Sequence, residues 1–579
     1  MPGRGRGRGR GRSRGNNQPA IQSGTNIMLD VRESDTPSIS DFMATHPHLK
    51  LGDDTIGIFS EVVPSKLRTK SLNINTGKRL LKWEPDGPED TVGYLTFIEG
   101  GIEKRVKVYQ KKMALLDPIA WIKDKERPRE PFFWTIQEED ITAPENQGYV
   151  DCVASYMASK LRPTLKSPHF CEFYGCLRAV ADVYLYNLED DFEDFRFTKW
   201  FWLAVESNEI GLRIVEKSTG RRLTMEEIKQ LSKPDDDFLQ DESDDDDSAD
   251  SSDSDSTSSE ISAESLPCDI HHVIVDAAIT GNESPKTVDS LSTVSDDNES
   301  DISFAEEYEI HAELYGMPVA VQYLEYCEGT IDEFLETSDF APIINESQEL
   351  QWSAWLFQIC AALAQLQNIL RLTHNDLHSC NVLWRKTEQE FVFYHDSKGR
   401  KWKVPTFGYV FSIIDYGRAI FALNNFFIVS SDYNEGHDAY GMYNFGPILD
   451  ESSPRVSPNK SFDLSRLACS LLRGLFPRNP SPKTAKSQLI TKEGSWEVRE
   501  TEHPVFNSLW TWLKTKTGEN ILEKQNGEEK YPGFDMYTVI AKEVGDALPE
   551  SQFSKSQMFQ PFLCKTEKVE APFWIQLPL

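Results

Sequence analysis

The strongest periodic signal in the chain is "SQELQWSAWLFQICAALAQLQNILRL", residues 347–372. There Trp352, Trp355, Leu356, Ile359, Leu363, Leu366 and Leu370 recur at i, i+3, i+4 and i+7. That spacing predicts a helix with one face in a core. "MPVAVQYLEY" (317–326) is apolar but for Gln322 and Glu325 and predicts a buried strand. "TVGYLTFIEGGIEKRVKVYQKKM" (91–113) breaks at Gly100-Gly101 and predicts two strands of a hairpin. "ENQGYVDCVASYMASKL" (145–161) puts Val150, Val153, Ala154, Met157 and Leu161 at helical spacing, and "SPHFCEFYG" (167–175) reads as a short strand. Between 177 and 233 the pattern is ambiguous: "FRFTKWFWLAV" (195–205) fits a strand and "TMEEIKQL" (224–231) a short helix. Further on, "GTIDEFLE" (329–336) predicts a short helix with Thr330 as N-cap. "GYVFSIIDYG" (408–417) predicts a strand, and "FDLSRLACSLLRGLF" (462–476) and "MYTVIAKEVGDAL" (536–548) predict helices. Strands dominate early and helices late, which is an α+β chain.

Composition changes the picture mainly at two places. The 579 residues are 39% hydrophobic with 13 Trp, enough for a large core and for two or three domains. The net charge of −32 is concentrated: residues 235–300 hold 21 Asp or Glu and one Lys. This Ser-rich acidic tract cannot offset its ordering entropy by burial and predicts a long disordered insertion. Its acid-flanked serines suit phosphorylation or an acidic interaction surface; a merely solvated insertion is the plainer alternative. Residues 1–25 contain "RGRGRGRGRSRG", a flexible basic arm suited to RNA or another polyanion, or else a solubilising tail. Nine scattered cysteines without a C-x-x-C pair indicate a reduced, intracellular protein. No apolar run approaches the ~20 residues of a membrane span, and no secretory leader is evident, so a soluble chain without membrane association is expected.

The candidate chemistry lies in "LTHNDLHSCNVLW" (372–384), where five polar side chains interrupt a core pattern within eight residues. A tight polar turn is one reading and a catalytic loop the other. His374, Asp376, Leu377 and Asn381 fall in register with the protein-kinase loop H-R-D-L-x-x-x-N. In that register Asp376 orients and deprotonates an attacking hydroxyl, and Asn381 points its amide oxygen at a metal on the nucleotide phosphates. "SIIDYGRAI" offers Asp415 as a second metal ligand after an apolar strand, resembling D-F-G with Tyr416 for Phe. "LEYCEGTIDEFL" resembles a kinase hinge, with Leu324 as gatekeeper and the main chains of Glu325 and Cys327 toward adenine. "VYQK" lays Lys111 on V-A-I-K as phosphate clamp. Lys112, on the opposite face of the strand, is its rival. The acidic partner of that lysine is Asp151 in mid-helix or Glu145 near the helix start. Asp463 is either an N-cap or a buried brace for the 372–384 loop. No G-x-G-x-x-G is present; "EPDGPEDTVGYL" and "EGGI" stand nearest to it.

As a set, "YQKKMALLDP", "SPHFCEFYG", "HNDLHSCNVLW", "VPTFGYVFSIIDYGRAI" and "SFDLSRLA" resemble the serine/threonine-type protein-kinase-like proteins of large nucleocytoplasmic DNA viruses, over roughly 90–175 and 304–565. The resemblance implies a two-lobed kinase-like fold. Its β-rich N-lobe would span 85–323, interrupted by 235–300. Its helical C-lobe would span 324–565, with a tail at 566–579. It implies ATP with Mg2+ or Mn2+, transfer of the γ-phosphate to Ser or Thr of a protein substrate, and a place in the host cytoplasm, nucleus or virion. Four departures bear on this. Asn375 replaces the Arg that binds an activation-loop phosphate, and His378 replaces a Lys. Thirty-four positions separate Asn381 from Asp415, filled by what reads as a hairpin around "DSKGRK". No A-P-E follows. Two alternatives therefore stay open: a small-molecule kinase of the aminoglycoside or choline type, and a pseudokinase scaffold.

Overall fold

The computed structural model describes residues 29–51, 72–123, 143–234, 307–443, 456–524, 528–565 and 571–579, apart from short gaps within these ranges, and Leu239. The Gly-Arg arm and the acidic tract, Leu239 excepted, lie outside the described residues.

Alternation builds a large, curled antiparallel sheet. The strands are β1 (Lys78–Pro85), β2 (Val92–Glu99), β3 (Ile102–Ala114), β4 (Phe173–Asn187) and β5 (Tyr308–Glu325). In β2 the buried positions are Gly93, Leu95 and Phe97, every second residue, as a half-buried strand requires. Gly100 and Gly101 turn the chain between β2 and β3 at φ 58° and 82°, the hairpin expected from the sequence. The order across the sheet is Leu49–Leu51, β4, β5, β3, β2, β1, so the sheet takes in residues well before position 85. The first half of β5 leaves β3 and pairs instead with Ile210–Glu216. Helix α1 (Gln147–Leu165) packs on this sheet. Asn146 holds its start: the Asn146 side chain accepts from Gly148 N (3.0 Å) and donates to Leu115 O at the end of β3 (2.9 Å).

The second half of the chain is built round α2 (Glu346–Gln365), capped by Asn345. It departs from the expected one-sided helix. From Trp352 to Gln365 every residue is buried, so its glutamines must be satisfied internally. Gln358 donates to Tyr409 O (3.2 Å) and Gln365 to Gln576 O (2.9 Å). Four further strands follow, β6 (Val382–Lys386), β7 (Phe391–Asp396), β8 (Lys401–Pro405) and β9 (Tyr409–Ile413). β7 and β8 form the expected inserted hairpin, and the strand Ile575–Leu577 pairs with β7 in parallel. Helices α3 (Phe462–Leu475) and α4 (Asp535–Glu543) pack against each other.

Two local expectations are corrected. Lys199–Glu206 is a helix, not a strand: Trp200, Phe201, Trp202, Ala204 and Val205 are all buried. A run apolar at nearly every position carries no period to separate the two. Thr330 is not a cap; Gly329–Thr330 pairs with β6, and only a short 3-10 turn, Asp332–Phe334, follows. The turn exists because Phe334 is drawn into an aromatic cluster with Trp355, Trp384 and Tyr409.

Two buried histidines give the fold a pH dependence. His46 Nε2 lies 2.6 Å from the Tyr323 hydroxyl, and His169 Nε2 lies 2.7 Å from that of Tyr394. Burial lowers both from 6.5 to about 4. Below pH 6.5 the unfolded chain therefore binds protons that the folded chain refuses, and stability falls as pH drops from 6.5 to 4. Urea midpoints measured across that window should decline steadily, and a flat profile contradicts the assignment.

Candidate active site

The site is assembled by register. Lys111 on β3 and Gln322 on β5 are direct cross-strand partners, so both side chains emerge on one face of the sheet, under α1. Asp151, one turn into α1, meets both: Lys111 Nζ and Gln322 Nε2 donate to its Oδ2 at 2.8 and 2.7 Å. Lys111 Nζ also donates to Asp415 Oδ1 at 2.8 Å. Lys112, its rival, points the other way and lies 3.5 Å from Asp90. Glu145 precedes α1 and uses its carbonyl to accept from Ser431 N (2.7 Å). Burial works against the Lys111 ammonium, but the carboxylates of Asp151 and Asp415 outweigh it and hold Lys111 well above its ordinary value. Asp415 mirrors this: burial raises it, and Lys111 reverses the effect and brings it to about 2.

Asp415 sits where a strand ends in a constrained turn. Its φ of 66° is left-handed, a strained state for a side chain larger than Gly. Neighbouring bonds hold it there: Ile414 N to Asn381 O (3.1 Å), His374 Nε2 2.8 Å from Ile414 O, and Tyr416 N to Asp151 Oδ1 (2.8 Å). Tyr416 is buried against the His374 ring. Gly417 passes so near α1 that a Cβ there would lie 3.0 Å from Gln147 Cγ.

The 372–384 loop is therefore tied to Asp415 through its neighbour Ile414. Its own brace is Asp463, fully buried in the first turn of α3, whose Oδ1 accepts His374 N (3.0 Å) and Asn375 N (3.1 Å). Gln367 Nε2 reaches its other oxygen at 3.1 Å. The N-cap position belongs to Ser461, which settles the two readings of Asp463 in favour of the brace. Asn375 is buried at φ 64°, a left-handed state that Asn tolerates. Its side chain donates to Thr373 O and Arg418 O and accepts from the Tyr443 hydroxyl (2.9 Å). Asn381 donates through Nδ2 to Asp376 O (2.9 Å) and lies 3.0 Å from His378 Nε2, so Oδ1 is the polar atom left for another use.

Asp376 is about a quarter exposed and held from two sides. Tyr537 on α4 donates its hydroxyl to Oδ1 (2.8 Å), and Arg418 Nη1 lies 3.5 Å from Oδ2. Burial would raise Asp376; Arg418, His378, Arg466 and the Tyr537 hydroxyl together take it below the ordinary carboxylate value. Arg418 is itself fixed by Asp432 (2.6 Å), and Arg466 on α3 donates to the Tyr537 oxygen (2.9 Å). Sequence reasoning missed Gln322, Arg418, Arg466 and Tyr537. Only Arg418 left a trace there, as the residue after Asp415-Tyr416-Gly417.

At the end of β5, Leu324 is buried. Glu325 uses its amide on Glu172 O (2.9 Å), and its carbonyl lies 3.9 Å from the Cys327 sulfur. Its carboxylate is clamped by Arg162 of α1 and by Arg385 of β6 (2.6 Å). The Cys327 amide makes no hydrogen bond among the described residues. The segment nearest to a glycine-rich loop is the turn between β1 and β2. There Gly87 has φ 145°, and a Cβ on Gly93 would lie 2.4 Å from Glu84 O.

Among the described residues no three His, Cys, Asp or Glu are grouped to hold a metal, and no helix is long and apolar enough to cross a membrane. No protein-family model matches the chain, and a search of curated proteins finds no match.

Proposed function

We propose that the chain is a two-lobed, protein-kinase-like phosphotransferase that uses ATP and Mg2+, or Mn2+, to phosphorylate Ser or Thr hydroxyls of a protein. The observation that carries this reading is the convergence of Lys111, Asp151 and Asp415, 40 and 304 positions apart from the lysine, into one ion triad beside the Asp376–Asn381 loop. A lysine on the third strand of a meander, an acid on the following helix, and an Asp bonded through its neighbour to the loop Asn are the parts that phosphoryl transfer of this type requires. In this reading the large sheet with α1 is the N-terminal lobe, and α2, α3 and α4 with their hairpins are the C-terminal lobe.

The donors fit the cofactor. Asp415 is 44% exposed, and Asn381 keeps Oδ1 after Nδ2 is used on the loop. Two protein oxygens suit an ion that takes the rest of its shell from water and phosphate, as Mg2+ does. Bound Mg-ATP supplies the transferable phosphoryl group and the positive charge that neutralises it. Lys111, held charged by Asp151, clamps the phosphates. Asp376, ionised at neutral pH, orients the acceptor hydroxyl and takes its proton. Tyr537 and Arg418 keep its carboxylate from rotating. The carbonyl of Glu325 and the amide of Cys327 meet the base.

Mg-ATP should raise the melting temperature of the protein, and radiolabel should pass from ATP to casein in wild type but not in Asp376→Ala. The absence of a thermal shift overturns nucleotide binding. Labelling of a small hydroxylated acceptor with none of casein favours the second reading, for which His378 in place of Lys is the supporting feature.

The segment after Asp415 carries its own anion. Asp432 pairs with buried Arg418, and Tyr433 donates to Arg418 O (2.7 Å), so a carboxylate stands where an added phosphate would order the chain. Activity should therefore survive exhaustive phosphatase treatment, and its loss would count against this account.

A further inference from the structure

The junction after β5 holds a second chemically active pair. Cys171 and Cys327 are free thiols whose sulfurs lie 3.8 Å apart, in van der Waals contact. Both are carried on short, anchored segments. Cys171 follows Phe170, which bridges to Ile413, and precedes Glu172, whose carbonyl accepts Glu325 N. Cys327 lies between Glu325, clamped by Arg162 and Arg385, and Glu328, whose amide donates to Trp384 O (3.1 Å). Cys327 is partly exposed and Cys171 is 7% exposed, so a small oxidant reaches the pair. Cys152 and Cys176 are also free thiols but are sealed in the core at 0% and 2% exposure.

We propose that Cys171 and Cys327 form a reversible disulfide in the presence of peroxide, and that this bond resets the nucleotide affinity of the cleft by fixing the 326–328 linker. The second half of the proposal rests on the nucleotide-binding reading above; the first half does not. Either thiol can donate to the other's sulfur. The positive charges of Arg385 and Arg162 favour the Cys171 thiolate, which makes Cys171 the nucleophile. Its sulfur attacks one oxygen of hydrogen peroxide, the O–O bond breaks, and the departing hydroxide leaves as water with the proton from Cys327. The Cys327 sulfur then attacks the Cys171 sulfenic acid, the S–O bond breaks, and the departing hydroxide leaves as a second water with the proton that Cys171 gave up to solvent on ionising. Two thiols lose two electrons, and one peroxide is reduced to two waters. Closing the bond to about 2.05 Å moves the sulfurs together by nearly 2 Å. That movement falls on Cys327, whose amide makes no hydrogen bond among the described residues, because Cys171 is the more buried of the two.

The test uses the full chain, reduced or treated with stoichiometric hydrogen peroxide, followed by alkylation, peptide mass mapping and Mg-ATP titration. Peroxide should give a single Cys171–Cys327 disulfide, reversed by dithiothreitol, and a change in Mg-ATP affinity of about 5-fold or more. Cys171→Ser and Cys171→Ala should bind Mg-ATP as the reduced wild type does and ignore peroxide. A different pairing, or oxidation that stops at sulfinic acid, overturns the proposal. A correct disulfide with unchanged affinity overturns the coupling. Reduced protein that binds no Mg-ATP at all overturns the nucleotide reading instead, and leaves the mapped disulfide standing.

Discussion

Asp376→Asn is expected to lower phosphoryl transfer by about 10²–10⁴-fold, the usual contribution of a positioned base, while thermal stabilisation by Mg-ATP persists. The substitution is nearly isosteric. Its amide oxygen still accepts the Tyr537 hydroxyl, so the loop and α4 should stay docked. What disappears is the negative charge beside Arg418 and the ability to receive a proton. The nucleotide contacts proposed for Lys111 and Asp415 would be untouched, so the loss should fall on kcat. A companion, Tyr537→Phe, removes one group that lowers Asp376 and should move the acid limb of the pH–rate profile upward. If Asp376→Asn retained wild-type turnover, this carboxylate would not be the base.

The second large effect is on stability. Asp151 is 1% exposed and accepts from Lys111, Gln322, Tyr416 N and, at 3.3 Å, Ser155. Asp151→Ala strands those donors in a buried place and breaks an ion pair. Because Lys111 keeps Asp415, the cost should fall toward the low end of such cases, about 3 kcal/mol. The urea midpoint should fall with an unchanged m-value. Activity should fall with it, since Tyr416 N loses the acceptor that helps fix Asp415 in its left-handed turn. A loss below about 1 kcal/mol, the net worth of an ordinary hydrogen bond, contradicts this account.

The local motifs were the legible part. Asp376 and Asn381 sit in one short segment and Asp415 in another, each with residue types and spacing that carry their own meaning, and the structure brings the two segments together. Lys111 over Lys112 could not be decided from strand alternation alone, because either face could have met α1. Asp151 looked too short for its partner. It reaches because Asn146 pins the start of α1 to the end of β3, which brings the helix close to the sheet. Tyr537 lies 161 positions from Asp376, and nothing in a helical pattern says which neighbour an outward tyrosine will find. Gln322 was hidden for the opposite reason: an apolar strand predicts burial and is silent on the one polar side chain it carries inward. The helix Lys199–Glu206 was misread because uniform hydrophobicity erases periodicity.

The parallel pairing of Ile575–Leu577 with β7 has a consequence for synthesis. Tyr394 and Ile575 are register partners about 180 residues apart, and Gln365, at the centre of the second half, waits on Gln576 for its acceptor. At about 5–20 residues per second, the ribosome needs roughly 10–35 s to deliver that strand after β7 has emerged. During that interval β7 is an open edge and α2 carries an unanswered buried amide. The nascent chain is therefore exposed to aggregation and chaperone capture between the emergence of β7 and that of Ile575–Leu577.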